Sequence, residues 1–160
     1  MKRIICILAA VLLVALTLAS CGEAGGRLDP LDAGRIKLVT ASESVYTSYI
    51  HMIEDEGAIA ELVGLYNGLT YDTQPDADMA AELLTDTLYM ISYHEEQDVN
   101  NVIPISVATL WISPKGYLLL EDEGDSTLKA YKLTSSFDEE RVLDLITNCD
   151  TAPDLNIIVK

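Results

Sequence analysis

The sequence predicts a single α+β domain, an antiparallel sheet of five or six strands with two helices packed on one face. Three observations predict it. Two segments, Glu56–Asn67 and Phe137–Asn148, repeat apolar residues at helical spacing. Short segments rich in β-branched and aromatic residues lie between turn signals. The last three of these are joined by connections so short that consecutive strands must run antiparallel.

Ile36 to Ser42 alternates Ile36, Leu38 and Thr40 with Lys37 and Val39 and reads as a strand. Val45 to Ile53 is β-branched and aromatic and reads as a second, paired to the first through Glu43-Ser44. Asp55 fits an N-cap, with Glu54 and Glu56 at the positive helix end. Ile59, Leu62, Val63 and Tyr66 then form one apolar face, and Asn67-Gly68 offers a left-handed stop. Gln74-Pro75-Asp76 is a turn, Asp78 to Leu84 a short helix and Leu88 to Tyr93 a strand, followed by a polar loop from Glu95 to Asn101.

Ile105 to Ile112 reads as a strand opening behind Pro104. Ser113-Pro114-Lys115-Gly116 turns the chain back, because proline presets φ and glycine relaxes the last position. Tyr117 to Glu121 and Leu128 to Leu133 complete a meander across the acidic turn Glu121 to Asp125. Ser136 and Glu139 stand at capping-box spacing before the helix whose stripe is Val142, Leu145, Ile146 and Cys149. Cys149 thus reads as an inert core thiol. After Pro153 the apolar tail Leu155 to Val159 reads as an edge strand or a frayed end.

Ahead of this domain, Lys2 and Arg3 precede an apolar stretch from Ile4 to Leu16, and Leu18-Ala19-Ser20-Cys21 follows. A charged start, a short apolar core and small residues are the layout of an export signal, too short for a comfortable membrane span. The four residues resemble the lipobox of bacterial lipoproteins. The resemblance implies cleavage before Cys21 and a diacylglyceryl group on its thiol, which anchors the chain in the membrane. Two acyl chains suffice for stable anchoring, since each buried methylene contributes about 0.8 kcal/mol. The expected division is residues 1–20 as signal, 21–34 as lipidated cysteine and flexible tether, and 35–160 as the globular domain. The tether reading rests on four glycines and a proline between Gly22 and Gly34.

Loss of the signal lowers the apolar share from 49% to roughly 44%, normal for a soluble domain. It leaves 8 basic against 26 acidic residues, a net charge of −18. Such a charge argues against nucleic acid, whose affinity depends on basic groups, and against lying on an anionic leaflet. With Cys6 discarded and Cys21 lipidated, Cys149 has no partner for an intramolecular disulfide.

Sequences that carry chemistry are sparse. There is no G-x-S-x-G, H-E-x-x-H or C-x-x-C, and no glycine-rich phosphate loop. The two histidines are His51, within a strand, and His94, at a strand end beside Glu95 and Glu96. A solvated strand end is the bland reading of His94, and a zinc ligand the sharp one. The acidic turn 121–125 and the group Asp72, Asp76, Asp78 lack calcium-loop spacing and read as solvated loops. Eight tyrosines and Trp111 form an aromatic set suited to core or binding surface. Trp111 is expected in the core on a face shared with Ile105 and Val107, and Tyr117 and Tyr131 are expected as a cross-strand pair.

The run Ala108-Thr109-Leu110-Trp111-Ile112-Ser113-Pro114-Lys115-Gly116-Tyr117-Leu118-Leu119-Leu120-Glu121, with Ala130-Tyr131-Lys132-Leu133 downstream and Ile53-Glu54-Asp55-Glu56-Gly57-Ala58-Ile59 upstream, resembles small Gram-positive lipoproteins that carry a domain of unknown function. The likeness spans residues 36 to 133, and here Glu121 leads into an acidic turn without proline or aromatics, a departure from that pattern. The resemblance implies a secreted, lipid-anchored α+β domain and transfers no catalytic residue. The expectation is therefore a lipid-anchored, extracytoplasmic, non-catalytic binding module of the cell envelope, with no cofactor, no metal and no nucleic acid, and with a membrane lipid and an envelope protein or small ligand as partners. The alternatives are an envelope hydrolase built from scattered carboxylates and His94, and an inhibitor or chaperone-like partner of another exported protein.

Overall fold

The computed structural model describes residues 25–43, 49–96, 103–121 and 127–151. The export signal, Cys21, the strand start 45–48, most of the loop 95–101, the acidic turn beyond Glu121 and the tail 155–159 lie outside the described residues.

The chain forms one α+β domain. Its strands are β1 (Gly26–Arg27), β2 (Leu38–Ser42), β3 (His51–Ile53), β4 (Thr70–Tyr71), β5 (Tyr89–His94), β6 (Ala108–Ser113), β7 (Tyr117–Glu121) and β8 (Leu128–Lys132). Its helices are α1 (Glu56–Gly68), α2 (Met79–Leu83) and α3 (Glu139–Asn148). Six strands make an antiparallel sheet in the order β3-β2-β5-β6-β7-β8, and β1 pairs with β4 in a separate ribbon. The meander from β5 to β8 follows from short connections, and Gly116 closes the β6–β7 turn at φ 79°, where a side chain would be strained.

Period-two alternation assigns the faces. Val39, Ala41, Ile91, Tyr93, Leu110, Ile112 and Leu118 point to one face. There they meet Ile59, Leu62, Val63 and Tyr66 of α1 and Val142, Leu145 and Ile146 of α3. Tyr93 stands at the centre of this layer, 1% exposed, and its hydroxyl donates to the Leu62 carbonyl at 3.1 Å. Its ring meets Tyr66 edge to face with centroids 5.2 Å apart. Burial pushes the pKa of Tyr93 far above the usual tyrosine range, so the group stays a neutral donor.

The opposite face is not free. Leu83, Leu88, Leu119 and Ala130 form a second cluster beneath α2, with Trp111 and Tyr117 half-buried against it. Trp111 therefore packs on the face away from α1 and α3. Val107 and Ile105 do not join it: the strand starts at Ala108, and Ile105 is 93% exposed. Register also separates the expected tyrosine pair. Tyr117 lies opposite Lys132 and Leu118 opposite Tyr131, so the two rings occupy opposite faces, and Tyr131 meets Tyr71 instead at 5.4 Å.

The caps are local and mostly as expected. Asp55 accepts from the Ala58 N–H at 2.8 Å. The helix after it runs through Gly68, and its last turn closes through the Leu69 N–H on the Tyr66 carbonyl rather than through a left-handed glycine. The expected capping box is replaced. Asp138 caps α3 by accepting from the Arg141 N–H at 3.0 Å, and Glu139 accepts instead from the Tyr89 hydroxyl at 2.7 Å. Arg141 joins the two long helices with a bidentate pair to Glu61 at 2.6 Å.

The described part of the expected tether is seated on the domain. Gly26 and Arg27 pair with Tyr71 and Thr70, and Leu28, Leu31 and Ala33 pack against the core. Asn67 clamps the segment, accepting from the Leu31 N–H at 2.8 Å and donating to its carbonyl at 2.9 Å. A Cβ at Gly26 would overlap the Tyr71 ring, so this glycine serves close approach rather than flexibility. Residues 26–33 thus pack with the domain.

Tyr93→Phe, which removes only the hydroxyl, should lower stability by about 1 kcal/mol and Tm by roughly 2–4 °C. Tyr93→Ala should cost about 3–5 kcal/mol. Equal Tm values for Tyr93→Phe and the parent would show that the bond to Leu62 contributes nothing.

Candidate functional site

Both outer edges of the six-stranded sheet are covered, and this decides where a ligand has access. At one edge the chain leaving α3 lies along β3. Asp150 bridges to Ile53, and the Thr151 N–H donates to the Met52 carbonyl at 2.7 Å. At the other edge the chain between β4 and α2 runs beside β8. The Asp72 N–H donates to the Lys132 carbonyl and the Asp76 N–H to the Ala130 carbonyl, both at 2.8 Å. Between these two bonds, Thr73, Gln74 and Pro75 rise off the sheet as an arch. The turn expected at Gln74-Pro75-Asp76 is the crown of that arch.

Beneath the arch lies a cleft of 460 Å³ lined by Asp72, Thr73, Gln74, Pro75, Asp76, Tyr117 and Lys132. Register places Tyr117 and Lys132 side by side on β7 and β8 as its floor. Asp76 commits one carboxylate oxygen to the Asp78 N–H at 3.2 Å. The side chains of Asp72, Thr73, Gln74, Tyr117 and Lys132 have no hydrogen-bond or ion-pair partner among the described residues. Three other cations are engaged: Arg35 with Glu95 at 2.9 Å, Lys115 with Glu82 and Asp86 at 2.8 and 2.7 Å, and Arg141 with Glu61 and Asp144.

Two other hollows differ in their lining. One of 410 Å³ is lined by Tyr89, Lys115 and Glu139, whose polar groups already bind within the protein. One of 330 Å³ lies between Ala33–Lys37 and the start of α1; Lys37 donates to the Gly34 carbonyl there, and the lining adds Glu54 and Glu56 without an aromatic ring.

The histidines lie in neither kind of place. His94 is not a solvated strand end: it is 2% exposed, and its Nε2 lies 3.0 Å from the Thr40 hydroxyl. Its Nδ1 has no hydrogen-bond partner among the described residues. Burial lowers its pKa, partly opposed by the nearby backbone of Ile105 and Pro104. Glu95 turns away to Arg35, and no carboxylate bonds His94 among the described residues. Among them, too, no three His, Cys, Asp or Glu side chains converge as a metal site.

His51 has the partner that sequence reasoning missed. Its Nδ1 lies 3.0 Å from Asp150 Oδ2, which also accepts from the Tyr49 hydroxyl at 2.6 Å. Asp150 Oδ1 accepts from the Met52 N–H at 2.9 Å. The carboxylate fixes the His51 ring, and the whole group fastens the end of α3 to the edge of β3. Cys149, the C-cap of α3, is half-buried and packed against the main core. Among the described residues no helix is long and apolar enough to cross a membrane.

Comparison with protein-family models, curated proteins and solved structures returns no match.

Asp150→Ala, which strands three donors, should cost about 2–3 kcal/mol and lower Tm by roughly 4–12 °C. An effect near zero would contradict its role as the edge fastener. His94 sets a pH dependence. Its native pKa lies below its unfolded value of about 6.5, so the unfolded chain binds the extra proton first. Its contribution is full above that pH and is lost as pH falls toward the native value. Thermal melts from about pH 7 to 5.5 should fall more steeply for the parent than for His94→Asn; parallel curves would contradict this.

Proposed function

We propose that this protein is a lipid-anchored, extracytoplasmic, non-catalytic binding module of the cell envelope, and that the cleft under the arch is its ligand site. The observation that carries the reading is the polar, preformed cleft in which the side chains of Asp72, Thr73, Gln74, Tyr117 and Lys132 have no hydrogen-bond or ion-pair partner among the described residues. A cleft held by backbone bonds at both ends of its arch needs little reordering to bind, which favours affinity. Its volume falls in the lower part of the range that small-molecule sites occupy, about 300–1,000 Å³.

The covered edges weigh against one common kind of partner. An extended peptide that binds by strand addition needs a row of unpaired backbone groups; the arch takes the Ala130 and Lys132 carbonyls of β8, and residues 150–151 take both Met52 backbone groups of β3. The anchor part of the reading rests on Leu18-Ala19-Ser20-Cys21. The net charge of −18 in the mature chain keeps the domain off an anionic leaflet.

A second reading, an envelope hydrolase, is favoured by one observation, the His51–Asp150 pair, because a carboxylate on Nδ1 leaves Nε2 as a proton acceptor. Against it, no nucleophile or second carboxylate bonds that ring among the described residues, and the same carboxylate is engaged by Tyr49 and Met52. His94, the histidine of the expected hydrolase, is buried with its Nε2 on the Thr40 hydroxyl, and no carboxylate bonds it among the described residues.

Two measurements test the reading. Cys21→Ser should block incorporation of labelled fatty acid and shift the protein from the membrane to the soluble fraction. Label retained by Cys21→Ser would overturn the anchor. The purified full chain should turn over no envelope glycan, peptide or ester; turnover abolished by His51→Ala would replace this reading with the hydrolase.

A further inference from the structure

We propose that the arch cleft takes a neutral sugar ring, stacked on Tyr117 and hydrogen-bonded through its hydroxyls to Asp72, Gln74 and Lys132. The inference rests on the reading of this cleft as the ligand site and names the chemical class it selects.

The lining is mixed in a specific way. Asp72 and the remaining oxygen of Asp76 are acceptors only, Lys132 is a donor only, and Gln74 and Thr73 are both. A ligand that is only anionic would meet two carboxylates in the cleft. One that is only cationic would meet the Lys132 ammonium. A hydroxyl both donates and accepts, so a polyhydroxylated ligand satisfies every one of these groups without bringing a like charge against any of them. A zwitterion could also match the charges, but it has no use for the neutral donors and acceptors of Thr73 and Gln74.

The floor supplies the other half of the recognition. Tyr117 is half-buried against the cluster of Leu83, Leu88, Leu119 and Ala130, which restrains its ring while part of it faces the cleft. A rigid aromatic face with a polar tip provides a large contact area for the C–H face of a sugar at low entropic cost. Pro75 stiffens the crown opposite, since its φ is fixed. A volume of 460 Å³ suits one or two rings, with the rest of a chain leaving through the open mouth.

The test titrates the purified full chain in detergent with chitotetraose, maltotetraose and cellotetraose, and in parallel with glutamate and glycine betaine. Binding is followed by calorimetry and by amide chemical shifts. The expected result is saturable binding of at least one neutral tetrasaccharide, shifts at residues 72–76, 117 and 132, and affinity nearly unchanged between about 0.01 and 1 M salt. Tyr117→Ala should weaken it by roughly tenfold or more. Gln74→Ala, on the exposed arch where folding is not at stake, should weaken it several-fold with Tm unchanged. Saccharide-induced shifts away from the arch would overturn the proposal. Salt-sensitive binding of glutamate or betaine alone, with shifts at the arch, would overturn the sugar assignment and leave the binding-module reading standing. No shift at the arch with any probe would overturn the sugar assignment, and the module reading would then stand or fall on whether envelope extract shifts those same amides.

Discussion

A six-stranded antiparallel sheet has two edges, and every unpaired N–H and C=O along them must find a partner or invite another chain. This protein lays an irregular segment of its own along part of each edge. Residues 150–151 lie along β3, and residues 71–76 span β8 with two backbone bonds of 2.8 Å. An edge with its backbone groups satisfied does not template aggregation or strand exchange. On β8 the closing segment touches the strand only near its ends, and the part between must rise away. The cleft is the geometric consequence of that closure, and its polar lining follows because the arch residues 72–76 are exposed and hydrophilic.

The closures depend in turn on the core. Tyr93 reaches from the sheet into α1, and α1 carries Asn67, which clamps the chain at Leu31. That segment leads back to β1, whose pairing with β4 fixes the root of the arch. At the other edge α3 is packed by Val142, Leu145 and Ile146 and delivers Asp150 to His51 and Met52. One hydrophobic layer therefore positions both edge segments, and a loss of packing at α1 or α3 is expected to loosen an edge before it exposes the sheet centre.

What was legible in the sequence was local. The Asp55 cap, the apolar stripe of α1 and the turn at Pro114–Gly116 each depend on residues within a few positions, and all stand where the spacing puts them. What was not legible depends on register or on distance. A one-residue offset in pairing moves a side chain across the sheet, so Tyr117 and Tyr131 part, and Ile105 falls outside the strand. Asp150 meets His51 across 99 residues, which no local pattern signals. The glycines near residue 26 look like flexibility in composition, yet at Gly26 the missing side chain is what lets Tyr71 come close. His94 looked solvated because Glu95 and Glu96 follow it, but strand alternation turns it inward onto Thr40. The residues of the cleft were each visible, as an acidic turn and as two strand positions. Their convergence was not, since it needs the arch to cross β8.

The functional account stands on that arch as a fixed part of the sheet rather than a loose loop. Native-state amide hydrogen exchange tests this most directly. The account predicts that the Asp72 and Asp76 amides are protected to nearly the level of the central strands, while Thr73 and Gln74 between them exchange quickly. Rapid exchange at Asp72 and Asp76, at the rate of a free loop, would contradict it and remove the preformed cleft with it.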